Sequence, residues 1–73
     1  MAGTKVASEL NAKVWQVEVA AGDVVAEGDT LIVLESMKME IPVTAPRAGR
    51  VAEITVKEGD QVSEDQVLAV LED

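Results

Sequence analysis

Seventy-three residues with no cysteine and no histidine describe one small aliphatic domain: 48% of the chain is apolar, yet Trp15 is its single aromatic residue. A chain of this size buries only about 60% of the surface its extended form exposes, and without thiolate or imidazole it has no zinc ligand of those types, no disulfide and no imidazole-assisted nucleophile. Six basic against fourteen acidic residues, a net charge of -8, exclude a basic nucleic-acid face and disfavour attachment to an anionic membrane.

Residues 1–5 lack a basic segment followed by an apolar one, so no signal peptide is expected, and no stretch approaches the apolar length of a membrane span. A cytoplasmic setting is the default. Residues 4–10 can supply a first strand. Trp15, Val17 and Val19 then share one parity while Gln16 and Glu18 take the other, which predicts a strand with Trp15 on its buried face. Ala21-Gly22-Asp23 is a turn in which glycine supplies a positive φ. A short connection centred on Val25 follows, then a turn at Gly28-Asp29. Leu31-Ile32-Val33-Leu34 reads as a strand buried on both sides, or nearly so. Glu35-Ser36-Met37-Lys38-Met39-Glu40 should turn the chain into the next strand. There Ile41, Val43 and Ala45 alternate with Pro42, Thr44 and Pro46. Proline cannot donate to a ladder, so this strand lies at an edge or is interrupted at both prolines.

Ala48-Gly49 reads as the turn into the second half, where Ala52, Ile54 and Val56 alternate with Glu53 and Thr55. A turn at Glu58-Gly59-Asp60, a connection at Val62, a turn at Asp65-Gln66 and the run Leu68-Ala69-Val70-Leu71 complete the chain. Helix is the alternative over 61–71, but β-branched content and the four-residue apolar runs favour strand.

The second half repeats the first. Residues 14–35 align with 51–72 without a gap, at an offset of 37. Ten positions of the first copy are identical in the second: Val14, Val19, Gly22, Asp23, Val25, Glu27, Leu31, Val33, Leu34 and Glu35. Asp65 stands where the first copy has Gly28, a substitution suited to the left-handed region that Asp visits more readily than most residues. Neither unit can bury its apolar face alone, so the two should pack on each other with pseudo-two-fold symmetry. The expected fold is all-β: a single domain over 1–73, a flattened barrel or sandwich of short strands joined by tight Gly-Asp turns.

Lys38 interrupts this pattern. By the repeat, its turn corresponds to the chain ends, so it should project from a tip on the opposite side from the termini. Of three methionines two flank it, and Lys5, Lys13 and Lys57 have no comparable setting. Two readings follow. In one, Lys38 is an ordinary surface lysine and the methionines plug the end of the core. In the other, its exposed amine reaches into another protein's site, with Met37 and Met39 as a soft apolar grip for a modifying enzyme.

Glu35-Ser36-Met37-Lys38-Met39 resembles the attachment motif of the biotinyl/lipoyl carrier domains, usually Glu-Ala-Met-Lys-Met. Ala45-Pro46-Arg47-Ala48-Gly49 is similar to that family's Ala-Pro-x-x-Gly stretch, and Gly22-Asp23, Gly28-Asp29 and Gly59-Asp60 match its turns, so the likeness covers roughly residues 8–73. It is nearest to short stand-alone attachment proteins and to the biotin carboxyl carrier domains of acyl-CoA and pyruvate carboxylases. The resemblance implies a barrel-sandwich hybrid of two quasi-symmetric four-stranded antiparallel sheets. It implies covalent biotin on Lys38, with Met37 and Met39 recognised by a biotin protein ligase and Glu35, Ser36 and Glu40 in the tip hairpin. Gly28 and Gly49 would hold the backbone at the tip and at its equivalent corner.

The implied partners are that ligase, a biotin carboxylase and a carboxyltransferase acting on an acyl-CoA or a 2-oxo acid. The domain itself would be monomeric and non-catalytic. Lipoate is the alternative cofactor, although lipoyl lysines typically follow Asp. An unmodified interaction domain is a further alternative. Ser36 departs from the usual Ala but remains small. The gapless repeat leaves no room for the inserted thumb that covers biotin in some bacterial acetyl-CoA carboxylase carriers.

Overall fold

The computed structural model describes residues 3–72, and every regular element among them is a strand. These are β1 (Thr4–Ala7), β2 (Ala12–Val17), β3 (Val24–Val25), β4 (Thr30–Ser36), β5 (Met39–Thr44), β6 (Gly49–Ile54), β7 (Gln61–Val62) and β8 (Val67–Glu72). They form two four-stranded antiparallel sheets, ordered β1-β8-β6-β3 and β5-β4-β2-β7. An offset of 37 residues carries β1 into β5, β2 into β6, β3 into β7 and β4 into β8, so one sheet maps onto the other neighbour for neighbour. No helix among the described residues is long and apolar enough to cross a membrane.

The turns obey the same symmetry. Gly22 N donates to Val51 O at 2.7 Å, and Gly59 N to Val14 O at 2.9 Å. Asp23 Oδ2 accepts from Ala20 N at 2.9 Å, and Asp60 Oδ2 accepts from Lys57 N at 3.0 Å. These side-chain latches close the turn between β2 and β3 and its counterpart between β6 and β7. Gly22 has the expected positive φ, 97°, and Asp65 takes the left-handed role of Gly28 with φ 70° against 91°.

The core lies between the sheets. Leu31, Ile32 and Leu34 of β4 and Leu68, Ala69 and Leu71 of β8 are buried, joined by Val6, Val14, Val25, Val51 and Val62. Both β4 and β8 are central strands, flanked by neighbours on either side, and each buries three of the four residues in its apolar run. Each fully buried leucine contributes roughly 1.5–3 kcal/mol. Val33 and Val70 are half-buried on the outer faces of these strands. β5 is an edge strand, and Pro42 sits within it.

Three expectations change. The predicted strand over 4–10 is shorter, ending at Ala7. Trp15 and Ala52 do not share the buried face of Val17, Val19, Ile54 and Val56. Val14 pairs with Leu34 and Gln16 with Val33, so Trp15 is the extra residue of a β-bulge. Ala52 is its counterpart, between Val51↔Leu71 and Glu53↔Val70. A bulge shifts the alternation by one: Val14 and Val51 point inward before it, Val17 and Ile54 pack against the core after it, and the bulged residue is turned out.

Gly49, finally, begins β6 and lies outside the turn. A Cβ there would stand 2.6 Å from the Glu72 carbonyl oxygen. Glycine at 49 therefore serves the close approach of β6 to β8, where Arg50 pairs with Glu72.

Candidate functional site

The register of β4 against β5 builds the tip. Leu34↔Ile41, Glu35↔Glu40 and Ser36↔Met39 leave Met37-Lys38 as a two-residue hairpin loop. Met37 has φ 55° and Lys38 φ 66°. Positive φ at both central residues is the signature of the mirror-image hairpin turn, whose twist suits antiparallel strands and which normally takes Asn-Gly or Asp-Gly. A side chain with a Cβ costs roughly 1–2 kcal/mol in this region. The chain thus holds two unfavourable residues where two favourable ones would close the same hairpin.

Lys38 is exposed, and among the described residues its amine has neither an ion-pair nor a hydrogen-bond partner. Met37 is 91% exposed and Met39 63%. The methionines therefore do not plug the core; Leu34 and half-buried Ile41, two pairs in from Ser36↔Met39, close that end. Ser36 is half-buried beneath the turn.

Glu35 and Glu40 face each other across the ladder, and Lys13 of β2 pairs with Glu35 on its other side. This sets a Glu40–Glu35–Lys13 row on the outer face of the sheet. Like charges directly opposite cost up to about 1 kcal/mol, and Lys13 offsets part of that.

The next row on the same face is Pro42, Val33 and the bulged Trp15, which is 43% exposed. Trp15, Gln16, Glu18, Thr30, Val33, Glu40 and Pro42 line a shallow depression there. Reading the sequence missed this surface, because the unbroken parity of Trp15, Val17 and Val19 concealed the bulge. It also missed the backbone strain at 37 and 38, whose signal was the two-residue spacing between strands.

The site suits acylation by a second protein. A primary amine without a partner among the described residues stands on a turn whose neighbours are themselves exposed. An amide formed there loses no internal ion pair and displaces no core side chain. Among the described residues no cluster of three or more acidic side chains could hold a metal ion.

Comparison with known proteins agrees with this geometry. The sequence profile of the biotin/lipoyl family, described as biotin-requiring enzyme, matches residues 1–71. The chain is 47% identical over 66 residues to the biotin/lipoyl attachment protein of Bacillus subtilis, covering 90% of each. It is 46% identical over 66 residues to a Mycobacterium leprae homolog of the biotinylated protein TB7.3, covering 90% of this chain and 93% of that one. Among solved structures it superposes on Kluyveromyces lactis urea carboxylase with a TM-score of 0.93 and 35% identity, over 99% of this chain and 6% of the enzyme. The two-sheet fold, the Lys38 hairpin and these matches agree, and the chain belongs to the biotin/lipoyl family of biotin-requiring enzymes.

Proposed function

We propose that this chain is a biotin carboxyl carrier, modified on Lys38 by a biotin protein ligase and acting in the cytoplasm with a biotin carboxylase and a carboxyltransferase. The observation that carries this reading is the strained Met37-Lys38 turn with both methionines exposed. Backbone strain of this kind persists where function requires it. The M. leprae relative, a homolog of the biotinylated protein TB7.3, favours biotin over lipoate.

Each residue has a role in this reading. Lys38 supplies the amine that becomes the amide, losing its positive charge. Met37 and Met39 offer the ligase apolar contact at little conformational cost, since they are already exposed. Ser36, small and half-buried, lets β4 run up to the turn. Glu35 and Glu40 give the hairpin neck an acidic outer face for a basic partner surface. Biotin attached here would supply a ureido nitrogen able to carry a carboxyl group to an acyl-CoA or a 2-oxo acid. The chain itself contributes no acid, base or nucleophile to that transfer; its part is to hold the tether clear of the fold, which raises the local concentration of the ring at partner sites.

Co-expression with a biotin ligase in biotin-supplied cells, followed by intact-mass measurement, tests the proposal. The expected result is one biotinyl increment on the wild type and none on Lys38→Arg, which keeps charge and exposure but has no primary amine. A lipoyl increment, or a biotinyl increment surviving in Lys38→Arg, would overturn it.

A further inference from the structure

We propose that Met37 and Met39 form a reversible oxidation site: a hydroperoxide converts their thioethers to sulfoxides, and the biotin ligase refuses the oxidised tip. This rests on the Lys38 assignment above and adds a chemical gate to it.

Three observations carry it. The first is access. Met37 is 91% exposed and Met39 63%, and they stand on either side of Lys38 as the only methionines among the described residues. Side chains this exposed meet a small oxidant without any opening of the fold. The chain has no cysteine, so no thiol within it competes for that oxidant.

The second is the make-up of the tip. Beyond the Leu34↔Ile41 pair the hairpin consists of Glu35, Ser36, Met37, Lys38, Met39 and Glu40. Three of these are charged, and Ser36 is polar and half-buried. The two methionines are therefore the whole apolar surface of the tip. A sulfoxide is polar and chiral, so oxidation leaves a partner no apolar side chain to cover there.

The third is the independence of the fold from these side chains. Among the described residues the buried core contains no methionine, and Leu34 with Ile41 closes the end beneath the turn. Oxidation of a core methionine disrupts packing. Oxidation here changes only the surface that the ligase must recognise, and the two sheets keep their contacts. That separation is what a switch requires and a lesion lacks.

The step balances. The thioether sulfur attacks one peroxide oxygen, the S–O bond forms as the O–O bond breaks, and the leaving oxygen takes up a proton. With hydrogen peroxide it departs as water. Sulfur loses two electrons and the peroxide gains them. Methionine sulfoxide reductases, one for each sulfoxide epimer, reverse the change: a dithiol is oxidised to a disulfide and the oxygen leaves as water.

A competition within one sample tests the gate. The unmodified wild-type protein is partly oxidised with hydrogen peroxide, and the peroxide is removed before ligase, biotin and ATP are added. Labelling is stopped before completion. Cleavage after Glu35 and Glu40 releases residues 36–40, which carry both methionines and Lys38, and mass spectrometry reads their biotinyl and oxygen increments together. Sulfoxide should be depleted about tenfold or more in the biotinylated peptides relative to the unlabelled ones, the discrimination that one apolar group gives in an enzyme's pocket. Treatment with both reductases before labelling should abolish the depletion. The oxidised protein should melt at the same temperature as the untreated one.

Equal sulfoxide content in labelled and unlabelled peptides would overturn the gate and leave Lys38 as the attachment site. Peroxide treatment that spares residues 37 and 39 would overturn it too, as would a lowered melting temperature, which makes the oxidation a lesion of the fold. Failure of the untreated protein to gain a biotinyl increment would remove the reading beneath it, an outcome seen before any peroxide is used.

Discussion

Replacing the two tip residues by those the turn prefers, Met37→Asn with Lys38→Gly, should stabilise the protein while abolishing its modification. Met37 and Lys38 hold φ at 55° and 66°, which together costs roughly 2–4 kcal/mol for side chains bearing a Cβ. Glycine relieves this fully and asparagine in large part. The added freedom of glycine in the unfolded chain gives back about 0.5–1 kcal/mol. No packing is lost, since Met37 is 91% exposed and Lys38 has no partner among the described residues. A net gain of about 1–2 kcal/mol remains, and for a domain of this size that raises Tm by about 4–16 °C. Circular dichroism melts and urea titrations followed through Trp15 measure it.

Lys38→Arg is the control. It keeps the backbone conformation and the strain, so its stability should stay within about 0.5 kcal/mol of wild type while its labelling disappears. A double variant with unchanged or lowered Tm would refute the claim that the tip stores strain. The two variants together separate the amine, needed for modification, from the backbone conformation that presents it. A gain in stability coupled to loss of function is the trade-off expected where a site is held in an unfavourable geometry.

Two glycine substitutions should both destabilise, for different reasons. Gly22→Val places a β-branched side chain at φ 97° with no atom within 4 Å of its Cβ, so the cost is purely conformational, about 1–3 kcal/mol; an unchanged melting temperature would remove the turn assignment. Gly49→Ala meets the Glu72 carbonyl oxygen at 2.6 Å, a backbone atom that cannot swing aside as a side chain would. Separating β6 from β8 should cost about 1–3 kcal/mol, read as a lower urea midpoint, and a midpoint equal to wild type would show that the sheet absorbs the methyl group without strain.

The order of strands and turns was legible because its determinants are local. Gly22-Asp23 and Gly59-Asp60 specify a backbone conformation and a side-chain latch within a few residues of each other. The runs 31–34 and 68–71 each bury three of their four residues, which suits the central strands of the two sheets. Gly49 was misread because its reason is non-local: a carbonyl oxygen of β8, more than twenty residues away in sequence, occupies the space a side chain would need. The parity of β2 and β6 failed for a related reason. The bulges at Trp15 and Ala52 occur without glycine or proline to announce them, and they follow from how β2 and β6 register against β4 and β8.

The repeat itself nevertheless held the clue to that error. Positions that share one core tend to keep similar volume in both copies, as Val14 with Val51, Leu31 with Leu68 and Leu34 with Leu71 do, although Ile32 with Ala69 shows the rule is loose. A tryptophan aligned with an alanine is a far larger mismatch. It marks a position outside the shared core, free to diverge between the halves. The same reasoning bears on Lys38. In the second sheet, β8 and β1 pair as β4 and β5 do, with Thr4 opposite Leu71, but no hairpin joins them. Only one of the two equivalent corners is a continuous turn, so only one can present a side chain from a closed tip. Both departures from symmetry, the Lys38 turn and the exposed Trp15, fall on the same sheet. A fold selected for packing alone gives no reason for that coincidence.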